Sequence, residues 1–283
     1  MTRRRDIERR RHSLAEIRSI MNSMRTLAYL ETRKLDRFLA AQHAVVESIE
    51  VAAADLLACC PEILPAARST TPVCVVIGSE RGFCGDFNHA LQRSMESTVQ
   101  AAAPGCPLLV ITGHRLSALL EDDPRVAQRL DGAGVLEEVA PLLGELVRVL
   151  TALQAQHGPL TVLCLYHNST GGIAMQKLLP PFQQLHIEPA AYPQPPDLNL
   201  APQALLGELA EHYLFAALHE ILYTSLLVEN RQRASHLQGA VQRLDDQAET
   251  LARQANILRQ EEIIEEIEVI LLGAMDAGDQ PQP

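Results

Sequence analysis

Tryptophan is absent from the 283 residues, and aromatic residues of all kinds make up only 4% of them. Single-stranded nucleic acid is usually gripped by stacking bases on such rings, so the Arg-rich start, with none interleaved, makes a poor RNA-binding arm. A formal net charge of −11 argues further against nonspecific nucleic-acid binding by the whole chain. No apolar run approaches the roughly 18 to 20 residues that a membrane span needs, and no signal-peptide core follows the opening arginines. Any membrane association is therefore expected through partners. The six cysteines (Cys59, Cys60, Cys74, Cys84, Cys106, Cys164) have no C-x-x-C spacing and include an adjacent pair. Neither a zinc site nor a disulfide framework is suggested, and a reducing, cytoplasmic compartment fits. His212 and His219 stand seven apart with no acidic ligand set beside them, so no metal is expected.

Residues 3 to 59 contain neither proline nor glycine, which permits one uninterrupted helix of roughly 85 Å. A heptad count gives a positions at Ile7, Leu14, Met21, Ala28, Leu35, Gln42, Ile49 and Leu56. The d positions fall at Arg10, Ile17, Met24, Glu31, Phe38, Val45, Ala52 and Cys59; most positions of both sets are apolar. Pro61, Pro65 and Pro72 end this pattern. Short apolar runs at Val73 to Ile77, Leu108 to Thr112 and Leu160 to Leu165 then read as buried parallel strands, separated by helical stretches near 89 to 103 and 135 to 157. Five prolines between Pro189 and Pro202 predict an extended connector, and the proline-free stretch after it predicts a second long helix from about 203 to 275.

The second helix carries a seam at Leu227, Ala234, Leu237, Val241, Leu244, Ala248, Leu251, Ala255 and Leu258. Beyond Leu258 the apolar residues shift to Ile263, Ile264, Ile267, Ile270, Leu271 and Leu272, a wider face than one partner helix needs. Charge divides the two ends: residues 1 to 40 carry a net +6 and residues 229 to 283 a net −6. The expected fold class is therefore α/β, with a long antiparallel two-helix coiled coil and a small central Rossmann-like βαβ domain. The expected division is 1–60 for the first shaft helix, 61–202 for the central domain with its connector, and 203–283 for the second shaft helix. The seam is expected to supply stability and the charges to set register.

The loop Gly78 to Asn88 follows the first strand and precedes a helix, the place where α/β folds hold phosphates. It lacks both the G-K-[ST] ending of a P-loop and the G-x-G-x-x-G spacing, so a structural turn is the favoured reading. Cys84 beside Arg81 has the setting of an activated thiol, but a buried packing residue fits better. The acids Glu261, Glu262, Glu265, Glu266 and Glu268 read as a solvated helix face.

Three stretches together resemble the gamma subunit of F-type ATP synthases. S-E-R-G-F-C-G-D-F-N at 79 to 88 is similar to that family's S-D-R-G-L-C-G-G-F-N. D-I-E-R-R-R-H-S-L and I-M-N-S-M-R-T-L-A (Asp6 to Leu14, Ile20 to Ala28) resemble E-I-R-x-R-I-x-S-V and I-T-K-A-M-K-M-V-A. Ser225, Glu229, Arg233 and Ala240, then Asn256, Arg259, Gln260, Ile263, Glu266, Ile267, Ile270, Gly273 and Ala274, fall on the carboxyl-terminal pattern without a gap. Departures at Ala15 to Ser19, Asn22, His236 to Val241 and Ile264 mark a divergent or paralogous member.

The resemblance implies a rotor that couples transmembrane ion flow to ATP synthesis or hydrolysis and is itself no enzyme. It implies no cofactor. The implied partners are the alpha and beta subunits of a catalytic hexamer, an epsilon-type subunit and the membrane c ring. The implied location is peripheral, on the cytoplasmic side of the bacterial inner membrane. Met24, Arg233, Arg259, Gln260 and Glu266 would meet partners, and Ser79, Arg81, Gly82, Cys84, Gly85 and Asn88 would form the signature turn of the central domain. Rival readings are a coiled-coil adaptor outside any motor and a nucleotide-binding α/β protein using the loop at 78 to 88.

Overall fold

A computed structural model describes residues 2–64, 70–102, 107–185 and 197–278. The chain begins with α1 (Thr2–Cys59), which runs unbroken through the proline-free segment. It continues through β1 (Thr71–Ile77), α2 (Phe87–Ala102), β2 (Leu108–Thr112), α3 (His114–Leu119) and β3 (Val126–Leu130). Then come α4 (Val139–His157), β4 (Leu160–His167), β5 (Ile173–Leu179) and α5 (Pro202–Gly278). Most of the expected proline connector lies outside the described residues, as does Cys106. Two compact units divide the chain, one of Ala28–Ala234 and one of Met1–Leu27 with Ser235–Pro283.

The unit of residues 28–234 is built on a five-stranded sheet in the order β3-β2-β1-β4-β5. β1 lies parallel to both β2 and β4, β2 to β3, and only β5 runs antiparallel to its neighbour β4. The three expected strands are the three central ones. They read clearly because strands buried on both faces need unbroken apolar runs. The expected βαβ unit is thus extended by two edge strands that lacked this signal. β3 exposes Gln128 and Arg129, and β5 contains Gln176 and Lys177, so neither forms an apolar run.

Alternate residues of the central strands feed two separate cores. Val73, Val75, Ile77, Val110, Val162 and Cys164 pack with Leu35, Val46 and Leu57 of α1, Leu142, Leu146 and Leu150 of α4, and Ala217, Leu218 and Ile221 of α5. Cys74, Val76, Leu109, Ile111 and Leu165 pack on the opposite face with Phe87, Leu91 and Met95 of α2 and Leu116 of α3. Within this unit α1 and α5 run antiparallel: Asp36 accepts from Arg231 at 2.8 Å, and Gln42 donates to the Ala216 carbonyl at 3.0 Å. His43 meets Glu220 at 2.8 Å.

The other unit consists of α1 up to Leu27 and of α5 from Ser235. Arg25 bonds Gln238, Arg18 pairs with Asp245, and Arg4 pairs with Glu262 at 2.8 Å, so numbers fall along one helix as they rise along the other. The α5 seam is as expected, with Leu237, Val241 and Ala255 buried and Leu244, Ala248, Leu251 and Leu258 half-buried. The α1 seam needs correction. Its expected a positions do turn inward, but Ile17, Phe38 and Val45 at expected d positions are exposed. The second inward stripe lies one residue later, at Thr32, Leu39, Val46 and Ala53. Continued towards the amino end, the same seven-residue repeat holds Arg25, Arg18, Arg11 and Arg4. Counting apolar residues could not find this stripe, because half of it is arginine; Arg4 and Arg18 reach acids of α5 and Arg25 reaches Gln238, while Arg11 and Arg18 are themselves exposed.

Candidate functional site

The turn between β1 and α2 is closed from inside. Asn88, in the first turn of α2, accepts from the Ser79 backbone N–H at 3.0 Å and donates to the Ser79 hydroxyl at 2.8 Å. The Cys84 sulfur lies 3.3 Å from that hydroxyl and 3.7 Å from the Arg81 carbonyl. Burial pushes the Cys84 thiol up, which opposes the thiolate that a nucleophile would need. Gly85 sits at φ +62°, where glycine carries no steric penalty. Phe83 sits at φ +63°, where a bulky side chain is strained, and it is 46% exposed. At Gly78 an added Cβ would strike Leu116 and come within 2.8 Å of the Thr112 carbonyl, so this position must stay bare for β1 and β2 to end together.

Two charged side chains of α5 grip the turn. Arg233 donates from Nε to the Gly82 carbonyl at 3.0 Å and from Nη2 to the Arg81 carbonyl at 3.3 Å. It also reaches Asn230 Oδ1 at 2.8 Å and forms an ion pair with Glu229 one helical turn before it. Glu229 also faces the Arg81 backbone N–H. Both side chains are almost wholly buried. Burial drives the Glu229 carboxyl up to about 7, with Glu80 nearby adding to the rise, while Arg233 and the Arg81 N–H favour the anion.

Glu80 lines the crevice at the carboxyl ends of the strands. Its Oε2 accepts from the backbone N–H of Gly132 at 2.6 Å and of His114 at 3.0 Å. These N–H groups lie beyond the ends of β3 and β2, where a doubly wound fold usually presents donors to a ligand's anion. The protein's own carboxylate takes them, Asn88 takes the Ser79 N–H, and Arg233 takes the two carbonyls. These backbone groups around the turn are thus taken within the chain.

All six signature-turn residues (Ser79, Arg81, Gly82, Cys84, Gly85, Asn88) and Arg233 are brought into this one cluster. Met24, Arg259, Gln260 and Glu266 belong to the other unit, with Met24 half-buried on α1 and the remaining three exposed on α5. Around them Ile263, Ile264, Ile267, Val269, Ile270 and Leu271 are all exposed, Val269 and Ile270 at 69% each. Glu262, the acid at the next seam position after Leu258, turns inward to Arg4. Sequence reasoning missed Glu80, Asn230 and Glu229 as members of the cluster. One signal was available: Glu229 and Arg233 stand i, i+4 after a stretch of α5 otherwise apolar, where a charged pair needs an internal reason. Among the described residues no group of three or more His, Cys, Asp or Glu could hold a metal ion, and no helix is long and apolar enough to cross a membrane.

Comparison with known proteins agrees with this geometry. A family profile described as ATP synthase matches residues 3–276. No curated protein matches significantly. Among solved structures, the chain is similar to one from the Euglena gracilis mitochondrial ATP synthase (OSCP/F1/c-ring, rotational state 3), with 12% identity, TM-score 0.67 and coverage of 100% of this chain and 97% of that one. A second, from the rotor of the Euglena gracilis enzyme in rotational state 1, shares 13% identity at TM-score 0.57, covering 93% and 99%. A third, from the Tetrahymena thermophila mitochondrial ATP synthase central stalk and c-ring, shares 14% at TM-score 0.56, covering 78% and 99%. At these identities the structural likeness speaks for the fold, and the profile over nearly the whole length supplies the family: the chain belongs to the ATP synthase gamma-subunit family, the central rotor of rotary ATP synthases.

Proposed function

We propose that this chain has no catalytic site of its own and works by turning within a hexamer of alpha and beta chains, linking their nucleotide affinities to ion flow through a membrane c ring. An epsilon-type subunit would complete the rotor, and the chain would reach the membrane only through these partners, on the cytoplasmic face of a bacterial inner membrane. Residues 1–60 and 203–283 would serve as shaft and 61–202 as the part that meets the ring. The observation that carries this reading is the apolar stretch 263–271. At about 100° per residue its six exposed aliphatic side chains spread over roughly 220° of the helix circumference, more than a single partner helix can cover. Undirected apolar contacts cost little to slide, which suits a shaft turning in an apolar sleeve. Arg259 and Gln260, exposed just before that stretch, would hydrogen-bond a catalytic partner, and Met24, Arg233 and Glu266 are the other proposed contact positions. The turn supports a role without catalysis, since the Ser79 N–H and the Arg81 and Gly82 carbonyls are taken within the chain.

The test is to reconstitute the full chain with alpha and beta chains, fix the hexamer to a surface and follow a probe on the chain during ATP hydrolysis. Stepwise rotation in one direction is expected. Steady hydrolysis with a stationary probe, or failure of the wild-type chain to enter the complex, would overturn the reading.

A further inference from the structure

The buried pair of Glu229 and Arg233 has more structure than packing α5 against the sheet requires. A helix crossing a sheet is held by apolar contacts, as Ala217, Leu218 and Ile221 hold it about two to three turns earlier. Replacing a buried ion pair with apolar residues of similar volume is often neutral or stabilising, so stability alone is a weak reason for this pair. Its specific feature is directional. Glu229 faces the N–H side of Arg81, while the planar guanidinium of Arg233 spans the carbonyls of Arg81 and Gly82. The same peptide segment is therefore held from its donor and its acceptor side by two residues one helical turn apart. Phe83, the next residue, keeps a backbone conformation that bulky side chains avoid, and such strain persists only where the surroundings over-determine it. Asn230 braces the guanidinium from within α5. Arg233 is also the penultimate α5 residue of its compact unit, which ends at Ala234.

From this we infer that Glu229 and Arg233 are positioning residues: they clasp the turn 79–88 to α5, so that a turning load on the helix passes into the sheet without slip and Phe83 is held in its strained pose. The inference rests on the rotor reading, and its first half, the clasp itself, can be tested without it. Apolar contacts between a helix and a sheet resist separation but resist sliding weakly; hydrogen bonds of fixed direction to successive peptide groups of one turn resist sliding.

The experiment compares the full wild-type chain with the double variant Glu229→Met with Arg233→Met, which leaves neither acceptor nor donor facing the turn and roughly keeps volume, and with Arg233→Lys, which keeps charge but cannot span two carbonyls. In the free chain, amide exchange at residues 81–85 should accelerate at least tenfold in the double variant, less in Arg233→Lys, while exchange in α4 is unchanged. In the reconstituted membrane complex, ions moved per ATP hydrolysed should fall severalfold in the double variant while hydrolysis continues. If the double variant does not fold, the lysine variant carries both readouts alone. Unchanged exchange at 81–85 overturns the clasp. Faster exchange with a wild-type coupling ratio overturns the transmission role and leaves the clasp. A wild-type chain that fails to assemble counts against the rotor reading and not against the exchange result.

Discussion

The two units solve the same problem, pairing α1 with α5, by opposite means. In residues 28–234 the helix pair lies on a sheet and shares a dry core with α4, and charges such as Arg231 and Asp36 stay at the margin. In the unit of residues 2–27 with 235–278 only Leu237, Val241 and Ala255 are buried among the described residues, and one heptad row of α1 is arginine, half-buried at Arg4 and Arg25 and exposed at Arg11 and Arg18. Fold stability should therefore concentrate in the first unit, and register in the second should depend on charge and on contacts that other chains supply.

The largest break in this comparison should come from Leu146→Ala in α4, fully buried at the centre of the larger core, with a cost of about 2 to 5 kcal/mol in denaturant unfolding of the full chain. A loss below about 1 kcal/mol would show that this core does not govern stability. Leu237→Ala, also fully buried but in the two-helix seam, should cost about 2 to 3 kcal/mol, with faster amide exchange confined to residues 2–27 and 235–278. Equal loosening throughout 28–234 would mean the two units unfold as one.

The third prediction uses pH. Glu229 is raised on folding to about 7, so its favourable contribution is present below its unfolded value near 4.5 and is lost as pH rises through about 7. Wild type should therefore lose stability relative to Glu229→Gln between pH 5 and pH 8, on the order of 2 kcal/mol. A difference that is flat with pH, or that runs the other way, would mean the pair with Arg233 outweighs burial.

Smaller effects belong to the exposed seam. Arg4, Arg18 and Arg25 each have a partner on α5, whereas Arg11 has no ion pair among the described residues, and heptad steps from Gln238 and Asp245 place Ala252 opposite it. Ala252→Glu should raise the melting midpoint by less than about 2 °C at low salt and by nothing at 1 M salt. A rise that survives high salt would assign the gain to packing. Arg259→Ala with Gln260→Ala should leave stability within about 0.5 kcal/mol of wild type, since both are exposed. ATP turnover by the reconstituted complex should nevertheless fall clearly, and wild-type turnover with wild-type coupling would place both residues on an idle face.

The central strands and both long helices were legible in the sequence because each is a pattern that physics allows in few other ways: apolar runs between turns, and long stretches without proline or glycine. The α1 register was legible by half. Phe38 and Leu39, Val45 and Val46, and Ala52 and Ala53 are neighbouring pairs of similar residues, and only the sheet beneath them decides that the second of each faces inward. The signature turn was legible as a structural turn, but the clasp that holds it was not. It joins residues about 150 positions apart, and nothing local at Arg81 announces that its backbone will be gripped by residue 233.

α5 runs from Pro202 to Gly278 without interruption, and this restricts how the protein can change its length in evolution. Each residue added within a continuous helix advances every later residue by about 100° and about 1.5 Å. One insertion after Leu237 would therefore rotate Val241 and every later seam residue out of phase with α1, and it would carry the apolar stretch 263–271 to a new azimuth. Only changes close to a whole number of helical turns, such as about 7, 11 or 18 residues, would restore the phase. Length variation should accordingly be tolerated in connections such as 168–172 between β4 and β5, and be nearly forbidden in the 77 residues of α5.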